Sequence, residues 1–186
     1  MPSNVTSAIV FVVNSLAQLY LFVLLLRLWL PRLGADFRNP IAQAILKLTS
    51  PVVIPVRRIV PPVGTLDTAT VLVAFIIQYI TILLILIILG QTAGFAQIAI
   101  TTVVNLVLLS LKLFVFAIII RVILSWFAPA GYNPGMALIQ TMTDRILRPF
   151  RRIIPPMGGL DISPIFAIIL IMALTIVVAG LRPLSI

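Results

Sequence analysis

Four uninterrupted apolar stretches, at about residues 7–30, 68–90, 97–124 and 162–181, decide what this chain can become. A helix needs roughly 20 apolar residues to cross the hydrocarbon core of a bilayer, and each stretch supplies them. Lipid offers backbone amides no partner, so each run must satisfy its own, and a helix does so. Composition agrees, since 62% of the residues are hydrophobic and 9% are charged. The sequence predicts an all-α membrane protein with four transmembrane helices.

The chain also repeats itself. Residues Arg57 to Asp67 read R-R-I-V-P-P-V-G-T-L-D and Arg151 to Asp161 read R-R-I-I-P-P-M-G-G-L-D, identical at eight of eleven positions without a gap. The same offset of 94 residues carries Arg27 onto Arg121, Asn39 onto Asn133, Pro40 onto Pro134 and Pro55 onto Pro149. This divides the chain into residues 1–93 and 94–186, each a two-span hairpin whose connection holds the motif. A unit that crosses twice returns to its starting side, so the two units form a tandem, parallel repeat rather than an inverted one.

Orientation follows from the basic residues beside the spans. The first motif-bearing connection holds Arg32, Arg38, Lys47, Arg57 and Arg58, the second holds Arg145, Arg148, Arg151 and Arg152, and the stretch from Gln91 to Gln97 holds none. Both connections are expected on the cytoplasmic side of a bacterial inner membrane, with both termini opposite. Trp29 and Trp126 suit an interfacial aromatic belt. No Lys or Arg precedes the first apolar stretch, and no small-residue cleavage site follows it, so that stretch is read as a retained helix.

Within each connection Asn-Pro opens a helical pattern, at Asn39 and at Asn133, because Asn caps free amides and Pro suits the first helical position. Ile41, Ile45, Leu48 and Val52 then recur at helical spacing, as do Leu138, Met142 and Ile146. Amphipathic helices on the membrane surface are expected, or helices packed on the spans. Pro61-Pro62 and Pro155-Pro156 end them in a stiff elbow, and Gly64 and Gly158 give backbone freedom beyond it. Asp67 and Asp161 then stand at the entrance of the next span, able to cap its amides or to pair with an arginine.

What the chain can do is narrowed by what it lacks. With no Cys, His or Glu, it has no thiolate or imidazole ligand, no disulfide and no histidine-based triad. No catalytic residue, metal or cofactor is expected. The net charge of +9 sits beside the spans rather than on a nucleic-acid face, so no nucleic acid is expected either. Arg57, Arg58, Arg148, Arg151 and Arg152 are the candidates for holding a partner or lipid, because a guanidinium fork matches phosphate or carboxylate. The bland alternative is charge that only fixes topology.

Inside the spans, Asn14 and Gln18 in the first, Gln78 in the second, and Asn105 and Lys112 in the third are polar where apolar residues prevail. Lys112 precedes Arg121 by nine positions, about 13 Å along a helix. A hydrogen-bonded seam between helices and an ion or solute path are the two readings. Arg27 and Arg121, near the inner ends of their spans, are expected to snorkel.

The stretch R-x-x-P-F-R-R-I-I-P-P-M-G-G-L-D-I-S-P from Arg145 to Pro164, with its shorter echo ending at Asp67, resembles the YGGT family of small membrane proteins. The first copy departs at Thr65 and at Thr68-Ala69-Thr70. The resemblance implies a role in cell division, in nucleoid or thylakoid organisation, in osmotic or potassium-linked growth, or in plastid haem attachment. Absence of His and Cys speaks against haem held by its usual ligands. The functional expectation is a non-enzymatic accessory protein or scaffold that docks an anionic phospholipid or a membrane-protein partner, in envelope organisation or complex assembly. An oligomeric channel is the alternative, and a homo-oligomer is compatible with both.

Overall fold

The computed structural model describes residues 3–127, 133–154 and 161–184. Among them lie six helices: α1 (Asn4–Leu33), α2 (Pro40–Ile59), α3 (Thr68–Leu89), α4 (Phe95–Phe127), α5 (Pro134–Ile153) and α6 (Ser163–Ala179). Among the described residues the one β-type pairing is a bridge between Val63 and Leu66.

Local chemistry sets the boundaries. Ser3 caps α1 by accepting from the Thr6 amide, and α1 closes on Gly34 at φ 85°, where the Ala35 amide reaches back to the Leu30 carbonyl at 2.9 Å. Gly90 at φ 64° closes α3 the same way, with Gln91 bonded to Leu86. Both ends use glycine because the left-handed turn penalises a Cβ. The Asn caps expected for the two connecting helices are present, Asn39 accepting from Ile41 and Asn133 from Gly135 and Met136.

α1, α3 and α4 are long and apolar enough to cross a membrane, whereas α6 is apolar but has 17 residues. At helical rise α6 spans about 25 Å. Gly180, followed by Arg182 and Pro183, ends it before the expected boundary of 181. Around the bundle, Phe11, Phe116, Ile169 and Ile176 are exposed. Large apolar side chains displayed on every long helix make an outer surface suited to hydrocarbon rather than water.

The two halves repeat one arrangement. α1 packs on α3 and α4 on α6, each pair bridged at one end by its connecting helix, α2 or α5. Leu24 and Ile118, one offset apart, are both fully buried, as are Val53 and Leu147. α3 against α4 joins the halves, and α2 also touches α5, so both connections lie at the same end of the bundle. There Asn39 Nδ2 donates to the Pro134 carbonyl at 2.7 Å, stitching the start of α2 to the start of α5.

The buried stripe of α2 is Ala42, Ile45, Thr49 and Val53, one residue out of step with the expected Ile41, Ile45, Leu48 and Val52. Only Ile45 is common to both. α2 carries apolar residues on two adjacent faces, and spacing alone does not say which meets the bundle. In α5 Leu138 and Met142 are buried as expected, with Thr143 and Leu147 completing the stripe. α2 also runs through Pro51 and Pro55, both on its exposed face, where the missing backbone donors leave no buried acceptor unpaired. Trp29 turns inward, donating to Ser110 Oγ at 3.3 Å and packing edge-on against Phe114, while Trp126 is exposed.

Candidate functional site

The motif end of the bundle is built from two arginine–aspartate clasps. In the first, Arg27 is 5% exposed beneath α2, and its Nη1 donates to Thr49 Oγ1 at 2.8 Å, Ser50 Oγ at 3.2 Å and the Leu46 carbonyl at 3.3 Å. Its Nε lies 3.7 Å from Asp67 Oδ2. Asp67 also accepts from Arg57, from the Thr70 hydroxyl at 2.7 Å and from the Thr70 amide at 3.4 Å. One carboxylate thus caps α3 and ties it to α1 and α2. Both expected roles of Asp67 are realised together.

Burial alone would raise the Asp67 pKa. The hydrogen bonds from Thr70 and Arg57 outweigh that and hold it below the usual carboxylate value.

The second clasp follows the same offset with one change. Arg121 donates to Thr143 Oγ1 at 2.7 Å and to Asp144 Oδ1 at 2.5 Å, where the first copy has Thr49 and Ser50. Arg151 then bridges Asp144 at 3.2 Å and Asp161 at 2.8 Å, as Arg57 serves Asp67 alone. Asp161 accepts from the Ser163 amide at 3.0 Å but stands one residue ahead of the helix cap, which is Ile162. Burial would raise its pKa, and the bonds from Ser163 and Arg151 lower it instead. Arg27 is therefore roofed by α2 rather than snorkelling, and Arg121 is held by α5.

The elbow between α2 and α3 is a tight turn. Val63 and Leu66 exchange backbone bonds at 3.1 and 3.0 Å across Gly64, which needs its φ of 58°. Thr68 Oγ1 donates to the Pro61 carbonyl at 2.6 Å and locks the Pro61-Pro62 corner onto α3. The corresponding Pro155, Pro156 and Gly158 lie outside the described residues.

Of the five candidate arginines, Arg148, Arg151 and Arg152 are brought together with Arg145 and Asp144 around an open basin of about 530 Å³. Arg57 and Arg58 are not among its walls. Arg145 also reaches the first half, donating to the Arg32 carbonyl, and Arg32 lies over the Trp29 ring at 5.8 Å. Among the described residues, Arg148 and Arg152 make no hydrogen bond or ion pair and keep their forks free. Sequence reasoning missed the Arg27–Thr49 and Arg121–Thr143 pairs, although the offset that relates the arginines relates the threonines too.

The five polar residues expected inside the apolar stretches converge. Asn14, Gln18, Gln78, Asn105 and Lys112 line one polar cleft of about 80 Å³, joined there by Arg182 from beyond α6. Among the described residues no hydrogen bond between helices joins these five: Gln18 bonds Asn14 within α1 at 3.2 Å, while Thr81, Thr101 and Thr175 each bond a carbonyl of their own helix. Among the described residues there is no group of three or more potential metal-ligating side chains.

The family profile described as CCB3/YggT matches residues 6–88 and 100–182, once in each half. The chain is 40% identical over 166 residues to an uncharacterized protein of Pseudomonas aeruginosa, covering 88% of this chain and 84% of that one. It is 33% identical over 174 residues to a protein called YggT in Escherichia coli K12, covering 93% and 90%. A shorter match, 43% identical over 61 residues, covers 31% of this chain and 23% of YlmG homolog protein 2, chloroplastic, of Arabidopsis thaliana. No solved structure matches.

Proposed function

Because the chain belongs to the CCB3/YggT family, we propose that it is a non-enzymatic, four-span membrane protein whose basic motif face gathers anionic phospholipid, as an accessory in envelope organisation or assembly of a larger complex. The observation that carries this reading is the basin of Arg145, Arg148, Arg151 and Arg152. Among the described residues three of them, Arg145, Arg148 and Arg152, make no ion pair, and Arg148 and Arg152 make no hydrogen bond either. Near a membrane surface each cation is worth on the order of 1 kcal/mol toward anionic lipid. The clasps give the basin a rigid backing, because Arg151 is fixed by Asp144 and Asp161 while its neighbours face outward.

In this reading both motif connections face the cytoplasm of a bacterial inner membrane, and α6 completes the fourth crossing with its ends near the interface. The chain contains no cysteine, so single cysteines are unambiguous reporters. A cysteine at position 58 or 152 should label from inside and one at position 91 from outside. Labels at 58 and 152 on opposite sides refute the parallel repeat.

Lipid docking is tested by incorporating the protein into nanodiscs of mixed phosphatidylcholine and phosphatidylglycerol and counting the lipids it retains. An Arg148→Gln, Arg152→Gln variant should lose the enrichment in phosphatidylglycerol. Equal enrichment in both proteins removes the basin from the account. An Arg148→Lys, Arg152→Lys variant separates fork recognition from charge alone. A second reading, an oligomeric channel, draws on the polar cleft, and potassium flux above background through sealed vesicles would favour it.

A further inference from the structure

The polar cleft between the helices is one-sided in charge. Its six polar walls are Asn14, Gln18, Gln78, Asn105, Lys112 and Arg182, drawn from α1, α3, α4 and the segment after α6. Two are cations and four are amides; none is a carboxylate. The chain's four acids, Asp36, Asp67, Asp144 and Asp161, all belong to the two motif connections. Asp67, Asp144 and Asp161 are already engaged by arginines there.

Lys112 lies near the middle of the 33-residue α4, with no hydrogen bond or ion pair among the described residues. A charge at such depth costs several kcal/mol unless it meets water or an opposite charge. Gln78 faces the same cleft while 5% exposed, and its amide has no hydrogen-bond partner among the described residues. Four separate elements contribute polar side chains to one small space, and two exposed cationic residues line it with no carboxylate among the described residues of the cleft, Arg182 Nε also donating to the Ala179 carbonyl at 3.4 Å.

We propose that this cleft is an intramembrane anion-binding site, with Lys112 and Arg182 supplying charge and the amides of Gln78, Asn14 and Asn105 supplying donors. Its volume of about 80 Å³ admits a small anion or one phosphate group, not an extended solute. Free anion and lipid phosphate share this chemistry, and the experiment separates them. The inference rests on the membrane-spanning reading but not on the arginine basin.

The test uses the full chain in nanodiscs of phosphatidylcholine. Its melting temperature is followed as potassium gluconate is replaced by potassium chloride or potassium phosphate at constant ionic strength. Specific binding to the native state raises the melting temperature with anion concentration. A rise of a few degrees is expected for wild type and for Lys112→Arg, and its loss for Lys112→Gln and Arg182→Gln. If no soluble anion acts but phosphatidylglycerol gives the same rise with the same dependence on Lys112, the anion is a lipid phosphate. Identical responses of wild type and Lys112→Gln to every anion and lipid overturn the proposal. Arg148→Gln, Arg152→Gln should leave the response intact, which keeps failure here distinct from failure of the basin.

Discussion

Asp144 stands in the second half where the duplication puts Ser50 in the first, and each receives the guanidinium of the corresponding span arginine, at 2.5 and 3.2 Å. The substitution converts a hydrogen bond to a neutral hydroxyl into an ion pair and adds a link to Arg151. Asp144 is 55% exposed, however, so solvent screens most of the gain. Asp144→Ser should cost no more than about 1 kcal/mol of stability, as exposed pairs do. Unfolding in mixed detergent measures it, and a loss several times larger would mean that the second clasp depends on charge far more than its exposure allows.

Asp67 is the opposite case. It is 15% exposed, sits between Arg27 and Arg57, and caps α3. Asp67→Asn should leave two cations facing each other without compensation, at a cost of about 3–5 kcal/mol. Asp161→Asn, at a carboxylate 35% exposed and one residue outside its helix cap, should cost visibly less. Equal costs at the two positions would contradict the asymmetry between the halves.

Acid should act through the same groups. Asp67 and Asp161 both titrate below the ordinary carboxylate value when folded. A depressed folded pKa contributes stability that is fully present above the unfolded value of about 3.9 and is lost as pH falls through the lower folded value. Stability measured from neutral pH downward should therefore hold until about pH 4 and then decline. In Asp67→Asn that decline should be shallower, and an unchanged slope would remove Asp67 as its source.

Much of this architecture is visible in the sequence, for identifiable reasons. Asn39-Pro40 and Asn133-Pro134 announce helix starts because caps are local chemistry, and all four apolar runs are helical, as their length predicts. Register was harder. Ile41 and Leu48 share a helical face with Ile45 yet are exposed, since periodicity reveals an apolar face but not its neighbour. Trp29 suggested a belt residue and proved to be a bridge to Ser110, a contact across 81 positions that no local pattern contains. Arg182 joins the cleft for the same reason, its companions lying on other helices. The clasp threonines were within reach, because the offset relating Arg27 to Arg121 also relates Thr49 to Thr143.

Gly64 offers a backbone test free of charge effects. Its φ of 58° is left-handed, and a Cβ there would meet no atom within 4 Å. Any cost of Gly64→Ala is therefore conformational, about 1 kcal/mol by the usual penalty of that region. Gly64→Asn should cost less, because a short polar side chain tolerates the same angles. If alanine and asparagine were equally harmless, the Val63–Leu66 turn would not be fixing the elbow.

The two threonines give the sharpest comparison of the halves. Thr49 and Thr143 are each fully buried, donate to a carbonyl one turn back at 2.7 Å, and accept from a span arginine at 2.8 and 2.7 Å. Replacement by valine preserves shape and deletes only the hydroxyl. At Thr49 this leaves the Arg27 Nη1, inside a side chain 5% exposed, with Ser50 and a long bond to the Leu46 carbonyl. At Thr143 it leaves Arg121 its carboxylate partner in Asp144 and some access to solvent. Thr49→Val should thus cost about 1–3 kcal/mol, the penalty of a weakened buried donor, and Thr143→Val less than half as much. The double variant Thr143→Val, Asp144→Ser should bring the second clasp to the sensitivity of the first. A Thr143→Val cost equal to that of Thr49→Val in the otherwise native protein would show that Asp144 does not compensate for the lost hydroxyl.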